Sequence, residues 1–111
     1  MDARARERFR GDVEPLDPVA GHIPGALNRP YAENLDAEGR FKAAGMLAAE
    51  FGALLGGRTP ADVVHYCGSG VSACHNLLAV EAAGLGLPRL YVASWSGWSS
   101  DPDRPAATDG D

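Results

Sequence analysis

The stretch DVVHYCGSGVSACHNLLAVEAA, Asp62–Ala83, decides the fold of this chain. Its opening segment, Asp62–Tyr66, is rich in β-branched and aromatic side chains, which favours a buried strand. Residues 71–83 have the pattern of a helix, and two glycines and a proline end that segment. Because strands that alternate with helices form parallel sheets, the sequence predicts an α/β domain with a central parallel sheet and helices on both faces.

The remaining segments fit one domain over residues 1–111. We expect further elements along the chain: helices over residues 3–10 and 45–55, very short strand 26–28, strand 90–93, and a helical turn after Ser94. The Pro- and Gly-rich residues 11–25 are predicted to form a loop, and residues 101–111 a frayed tail. An α/β domain is expected to begin with a buried strand, whereas this chain opens on Met1–Asp2. The first strand is therefore expected to be truncated.

The composition argues against several classes of function. A formal net charge of −5 over 111 residues disfavours nucleic acid as a partner. The sequence has no apolar run of about 18 residues, so no membrane partner is expected. Its charged first ten residues do not have the pattern of a signal peptide. We therefore expect a cytoplasmic protein.

The two cysteines, Cys67 and Cys74, are expected to be thiols in a reducing compartment. Their spacing fits no common zinc site, so no metal is expected. Cys67 ends the predicted strand, and the loop after it leads into the helix. Helix N-termini present unpaired N–H groups and a partial positive charge, which stabilise a thiolate or a small anion. The loop therefore predicts an anion cradle with a nucleophilic cysteine at its mouth.

Two alternatives fit the same loop: a phosphate-binding glycine loop, and a plain strand–helix turn that happens to contain a cysteine. A cysteine phosphatase would carry an arginine six residues after the cysteine, where it clamps phosphate with two hydrogen bonds. This chain has Ala73 at that position. Phosphate chemistry is therefore disfavoured, whereas sulfur chemistry at Cys67 needs only the N–H groups of the loop.

Four segments together resemble the rhodanese-like sulfurtransferases, in particular the C-terminal catalytic domain of two-domain thiosulfate/3-mercaptopyruvate sulfurtransferases. The segments are DARARERFRG (residues 2–11), GHIPGALNRPY (21–31), YCGSGVSAC (66–74) and SWSGW (94–98). Nearly the whole chain is covered, and HIPGA combined with the cysteine loop is much more specific than either motif alone.

The resemblance implies that Cys67 accepts a sulfane sulfur as a persulfide and passes it to a thiol acceptor or to cyanide. It implies that Arg8 binds the anionic donor and that Asp2 supports the site. It also implies that the loop binds the outer sulfur through the residues Gly68, Ser69, Gly70, Val71, Ser72 and Ala73. No cofactor is expected. The expected partners are a small anionic sulfur donor, an acceptor such as thioredoxin or a low-molecular-weight thiol, and a preceding rhodanese-like domain.

The donor is left open between 3-mercaptopyruvate and thiosulfate. Gly68–Ser69 matches the pair found in mercaptopyruvate-preferring members, whereas thiosulfate-preferring members have a basic pair there. Animal mercaptopyruvate enzymes carry a second donor-binding arginine, and its place in this chain is near Leu16. The alternative function is a non-catalytic rhodanese-like interaction or regulatory module, or an inactive fragment of a two-domain enzyme.

Several other residues are expected to be structural. His22 is expected to order the turn before Pro24, and Cys74 is expected to be a small buried residue rather than a second reactive thiol. Trp95 is expected to pack in the core or at the rim of the site.

Overall fold

The structure is a computed structural model, and it describes residues 1–68 and 71–108. Four α-helices and two short strands are assigned in the described ranges, with 3-10 turns at Tyr31–Asn34 and Pro60–Asp62. In chain order the elements are α1 (Arg6–Phe9), α2 (Ala44–Leu55), β1 (Val64–His65), α3 (Val71–Ala82), β2 (Arg89–Leu90) and α4 (Ser94–Ser99). None of the helices in these ranges has the length and apolar character needed to cross a membrane.

The sheet is parallel, and the start of the chain lies inside it. β1 pairs with β2 in the register Val64 to Arg89 and His65 to Leu90. On the other side of β1, Asp2 forms one parallel bridge to Tyr66 and a second to Asn28. Successive N–H groups of this segment donate to opposite sides. Asp2 N donates to Leu27 O at 2.7 Å, and Ala3 N donates to Tyr66 O at 2.8 Å.

These bridges concern two predictions, the parallel sheet and its first strand. The prediction of an α/β domain with a parallel sheet is confirmed. The segment Met1–Ala3 takes the place of the expected first strand and is paired on both sides, although it is too short to be assigned as a strand. The strand predicted at residues 26–28 is likewise reduced to the single bridge at Asn28.

Two clusters of buried side chains form the core. Helix α2 packs on α3 through Leu47 and Phe51, which are one helical turn apart and meet Ala79 and Val80. The second cluster contains Ala3, Cys67 and Ala73. Cys67 therefore lies between the first strand segment and the first turn of α3.

The helices α2 and α3 were predicted to within one residue at each end, whereas α1 and both strands are shorter than predicted. α1 covers only Arg6–Phe9 because the residues before it belong to the sheet and its turn. β1 loses Asp62 to the 3-10 turn that begins at Pro60. The strand predicted at residues 90–93 ends at Leu90, since the chain turns into α4 at Ser94 with a positive φ of 53°.

The chain after α4 packs back onto the domain. His22 and Ala107 form an antiparallel bridge with two N–H···O bonds of 2.8 Å each. The indole Nε1 of Trp98 donates to the carbonyl of Pro105 at 2.8 Å. The predicted frayed tail is therefore held in place as far as Ala107, and residues 109–111 of that prediction lie outside the described residues.

We predict that Gly21→Ala weakens this attachment. Gly21 has a φ of +114°, and a Cβ there would collide with the carbonyl oxygen of Ala107. Gly25 also has a positive φ, +83°, but a Cβ there meets nothing within 4 Å. Gly25→Ala should cost about 1–2 kcal/mol for the left-handed backbone alone, and Gly21→Ala about 1–3 kcal/mol more for the collision. Urea unfolding of both variants measures the difference, and equal losses would show that residue 107 does not lie against Gly21.

Candidate active site

Cys67 lies where the predicted nucleophile was placed, at the carboxyl end of β1 and before α3. Its backbone is fixed by α4: the carbonyl accepts from Trp95 N at 2.8 Å, and the N–H donates to Ser94 Oγ at 3.2 Å. The residue is only 2% exposed. The carboxyl ends of parallel strands are where open α/β sheets bind their ligands, so this position suits a reactive group.

A cavity of about 230 Å³ opens beside Cys67. Its lining combines the cysteine loop with the N-terminal arginines and parts of three other segments: Arg4, Ala5, Arg8, Leu16, Tyr31, Cys67, Gly68, Ser72 and Ser96. A larger cavity of about 500 Å³, which includes Ile23, Val64 and Trp98 in its lining, contains neither cysteine. We therefore assign the smaller cavity as the candidate site, because it holds Cys67, the predicted nucleophile, and two cations.

Arg8, the predicted donor-binding residue, lies over the start of the loop. A Cβ placed on Gly68 would be 3.4 Å from Arg8 Nη2, so the guanidinium packs against the loop backbone. A Cβ at this position would be in van der Waals contact with the guanidinium. Arg8 Nη2 also lies 3.4 Å from Glu14 Oε2 and 3.8 Å from Asp17 Oδ2.

Asp2 does not line the cavity but holds a residue that does. Its carboxylate accepts from Arg4 Nη2 at 2.8 Å and from Arg4 Nε at 3.1 Å and 3.2 Å, and both side chains are buried. Arg4 also donates to the carbonyl of Gly21 and lies over the ring of Trp95, 4.9 Å from its centroid. The supporting role predicted for Asp2 therefore has a geometric basis in the orientation of Arg4.

Glu14 connects the two arginines, and the sequence analysis missed it. Its carboxylate accepts from the N–H groups of Leu16 and Asp17 and from Arg4 Nη1 and Arg8 Nη2, at 3.0 Å to 3.4 Å. Burial would raise the pKa of Glu14, but these backbone hydrogen bonds and the two arginine charges hold it below its usual value. The available signal was an acidic residue in the Pro-rich loop that follows an arginine-rich segment.

The predicted anion cradle is described only in part. Ser69 and Gly70 lie outside the described residues. Ser72 lines the cavity, whereas the side chain of Ala73 is fully buried in the cluster with Cys67, and Val71 is 77% exposed. The binding of sulfur by the loop N–H groups stays a prediction.

Among the residues expected to be structural, Cys74 differs from the prediction. It is exposed, because Ala73 takes the buried position of that helical turn. His22 is buried and stacks on Phe9 with 3.6 Å between ring centroids. Trp95 is fully buried, and its indole N–H donates to Val19 O at 2.9 Å, as expected for a packing role.

Ser94 is a further residue that the sequence did not reveal. Its hydroxyl donates to Tyr91 O at 2.9 Å and accepts from Cys67 N, so it ties α4 to the nucleophile's backbone. We predict that Ser94→Ala lowers the free energy of unfolding by about 1–3 kcal/mol, because the buried Cys67 N–H loses its acceptor. Hydrogen exchange at the Cys67 amide should become faster.

The matched control is Ser100→Ala, which removes an exposed hydroxyl at the end of the same helix. That change should alter stability by less than about 0.5 kcal/mol. Unchanged stability and unchanged Cys67 amide exchange in Ser94→Ala would contradict the role given to Ser94.

Comparisons with known proteins agree with this geometry. Residues 1–101 match the family described as "Rhodanese-like domain". A protein of Pseudomonas aeruginosa named "Probable 3-mercaptopyruvate sulfurtransferase" is 58% identical, over 97% of this chain and 38% of that protein. The Escherichia coli 3-mercaptopyruvate sulfurtransferase is 38% identical, over 95% of this chain and 37% of that protein.

A solved structure gives the same result for the fold. The 3-mercaptopyruvate sulfurtransferase from Leishmania major superposes with a TM-score of 0.74 at 36% identity, over 89% of this chain and 28% of that one. The chain thus spans less than two fifths of the length of each of these relatives, and it matches the C-terminal part of the two-domain proteins. With the parallel sheet, the cysteine after β1 and these similarities, the chain belongs to the rhodanese-like domain family.

Proposed function

We propose that this chain is the sulfur-transferring domain of a sulfurtransferase, with Cys67 as the sulfur carrier. The observation that carries the proposal is the position of Cys67 at the end of β1, in a cavity that also contains Arg8 and Arg4. The names of the P. aeruginosa and E. coli relatives support the same reaction class. Because the chain covers only part of those proteins, the activity is a proposal for this domain.

The proposed reaction has two half-steps. In the first, the Cys67 thiolate attacks the sulfur of 3-mercaptopyruvate, the C–S bond breaks, and the carbon keeps the electron pair and takes a proton to give pyruvate. With thiosulfate the S–S bond breaks instead and sulfite leaves. In the second, the outer sulfur of the Cys67 persulfide is attacked by a thiolate or by cyanide, and Cys67 is released as a thiolate.

The residues around Cys67 have distinct roles in this proposal. Arg8 attracts the anionic end of the donor, and the N–H groups from Gly68 through Ala73 stabilise the charge on the outer sulfur. Asp2 acts through Arg4, whose guanidinium it orients. No step needs a cofactor or a metal ion, because the electron pair moves between sulfur and the leaving group.

The acceptor is proposed to be a small thiol, a thioredoxin-like protein thiol or cyanide, and the reaction is placed in the cytoplasm, where thiols are kept reduced. A preceding rhodanese-like domain is a further proposed partner, since this chain matches only the C-terminal part of the longer relatives. The proposed catalytic and binding residues all belong to this chain and are the ones named in the preceding paragraphs.

We predict that Cys67 gains a persulfide and that Cys74 is not required. After incubation with 3-mercaptopyruvate and removal of the donor, mass spectrometry should show one added sulfur atom, located by peptide mapping on Cys67. Cys67→Ser should abolish the addition, whereas Cys74→Ser should keep it, because only Cys67 lies in the cavity. Added sulfur located on Cys74 in the unaltered protein would contradict the proposal, and a folded protein without any addition would favour the non-catalytic module.

We predict that 3-mercaptopyruvate is preferred over thiosulfate. Ser69 can donate a hydrogen bond to the carbonyl or carboxylate of a keto acid, whereas Lys at that position would place a positive charge beside the more highly charged thiosulfate. A hydrogen bond to a charged group contributes about 1.5–3 kcal/mol, or one to two orders of magnitude in selectivity. Ser69→Lys should therefore move the preference toward thiosulfate, and Arg8→Ala should weaken both donors.

Steady-state values of kcat/KM for the two donors test this prediction. The exposed Leu16, which lines the cavity at the place of the second arginine of animal enzymes, provides an independent variant. Leu16→Arg should raise kcat/KM for 3-mercaptopyruvate without loss of stability. A parent protein that favours thiosulfate would overturn the interpretation of Gly68–Ser69.

A further inference from the structure

The two arginines that line the Cys67 cavity are bordered by more carboxylates than there are guanidinium groups. Arg8 is bordered by the carboxylates of Glu14 and Asp17. Arg4, the other cation of the cavity, is bordered by Asp2 and again by Glu14. Two guanidinium groups thus share three carboxylates, which leaves the cluster with a net charge of −1.

The three carboxylates are not equivalent. Asp2 accepts from both the side chain and the backbone N–H of Arg4, and Glu14 accepts from four donors. Their hydrogen bonds give both of them a structural role in the loop and the first strand. Asp17 Oδ2, in contrast, is buried and accepts no hydrogen bond from any group in the described part of the chain.

Asp17 nevertheless stays close to the cation. Its side chain is only 9% exposed, and Oδ2 lies 3.8 Å from Arg8 Nη2, within ion-pair range but beyond hydrogen-bond range. Arg8 Nε is also buried and has no hydrogen-bond partner among the described residues. Asp17 therefore offsets the charge of Arg8 without accepting a hydrogen bond from it in the described part of the chain.

We propose that Asp17 lowers the electrostatic potential of the Cys67 cavity, so that the attraction of Arg8 for an anion is offset in proportion to the charge of that anion. An anion that enters the cavity meets the Arg8 guanidinium, and Asp17 Oδ2 lies 3.8 Å from Nη2 of that same group. The repulsion for a dianion is about twice that for a monoanion at the same distance. Applied to sulfur donors, an extension that rests on the proposed function, this inference means that Asp17 selects 3-mercaptopyruvate over the more highly charged thiosulfate.

The primary experiment does not depend on sulfur transfer. In a Cys74→Ser background, the alkylation rates of Cys67 by iodoacetate, an anion, and by iodoacetamide, its neutral analogue, are measured by peptide mapping. Their ratio reports the potential at Cys67, because both reagents alkylate the same thiol. Asp17→Asn should raise the iodoacetate-to-iodoacetamide ratio roughly three- to tenfold at low salt, and by less at high salt because salt screens the charge.

The matched control is Asp12→Asn, which removes the same charge from an exposed position in the same loop. Its ratio should stay within about twofold of the parent's, since an exposed charge is screened by water and salt. A ratio in Asp17→Asn that equals the ratio in Asp12→Asn overturns the inference, whether or not the protein transfers sulfur.

Donor kinetics then test the part that rests on the proposed function. In Asp17→Asn, kcat/KM should rise more for thiosulfate than for 3-mercaptopyruvate, and a thermal unfolding curve shows whether the variant keeps its fold. If the alkylation ratio rises while neither the parent nor the variant transfers sulfur, the electrostatic inference stands and the proposed function fails. Equal changes for the two donors would overturn the selective role of Asp17.

Discussion

The buried pairing of Asp2 is the interaction on which the rest of the structure depends. Its backbone bridges Tyr66 on one side and Asn28 on the other, and its carboxylate binds the guanidinium of Arg4. Removing one partner of a buried ion pair typically costs about 3–5 kcal/mol, because the other charge stays buried without compensation. One residue thus joins the first strand segment to its neighbours and also orients a cation in the wall of the candidate site.

The site depends on this pairing through three successive sets of contacts. The bridge from Asp2 to Tyr66 fixes the end of β1, which places Cys67 immediately beyond the sheet. α4 then binds the backbone of Cys67 through Ser94 and Trp95. Finally, Arg4 and Arg8, which flank the cavity, are held by carboxylates from the first strand and the loop. The cavity is therefore charged by ion pairs that also stabilise the fold, so its potential and the stability of the domain are coupled.

The sequence was sufficient for the features that follow from local pattern. Helices α2 and α3 have the required periodicity and helix-ending residues. Cys67 was identified as the predicted nucleophile because a cysteine between a strand and a glycine-containing loop has a defined chemical setting. The roles expected of Arg8 and Asp2 were implied by the resemblance to a family, and the structure adds the contacts that each residue makes. Cys74 was misplaced because neighbouring helix positions differ by about 100° in direction, and Ala73 takes the inward one.

The residues that the sequence did not reveal lie in the irregular segments. Glu14 and Asp17 belong to a Pro-rich loop without periodicity, so only the folded chain brings them to the arginines of the first segment. Ser94 adopts a positive φ that its residue type does not favour, and this turn shortened β2 relative to the prediction. In each case the signal is a side-chain contact that only the folded chain makes, and local sequence pattern does not report it.

Sulfur transfer through Cys67 is tested most directly by a single discharge of the sulfur-loaded protein. The protein is loaded with 3-mercaptopyruvate, freed of donor by gel filtration, and mixed with cyanide in the absence of any other sulfur source. We expect about one thiocyanate per chain, with Cys67 returned to its original mass, because the persulfide sulfur is open to attack in the cavity. Sulfur that stays bound to the protein, or a protein that takes up none, would contradict the assignment of Cys67 as a sulfur carrier.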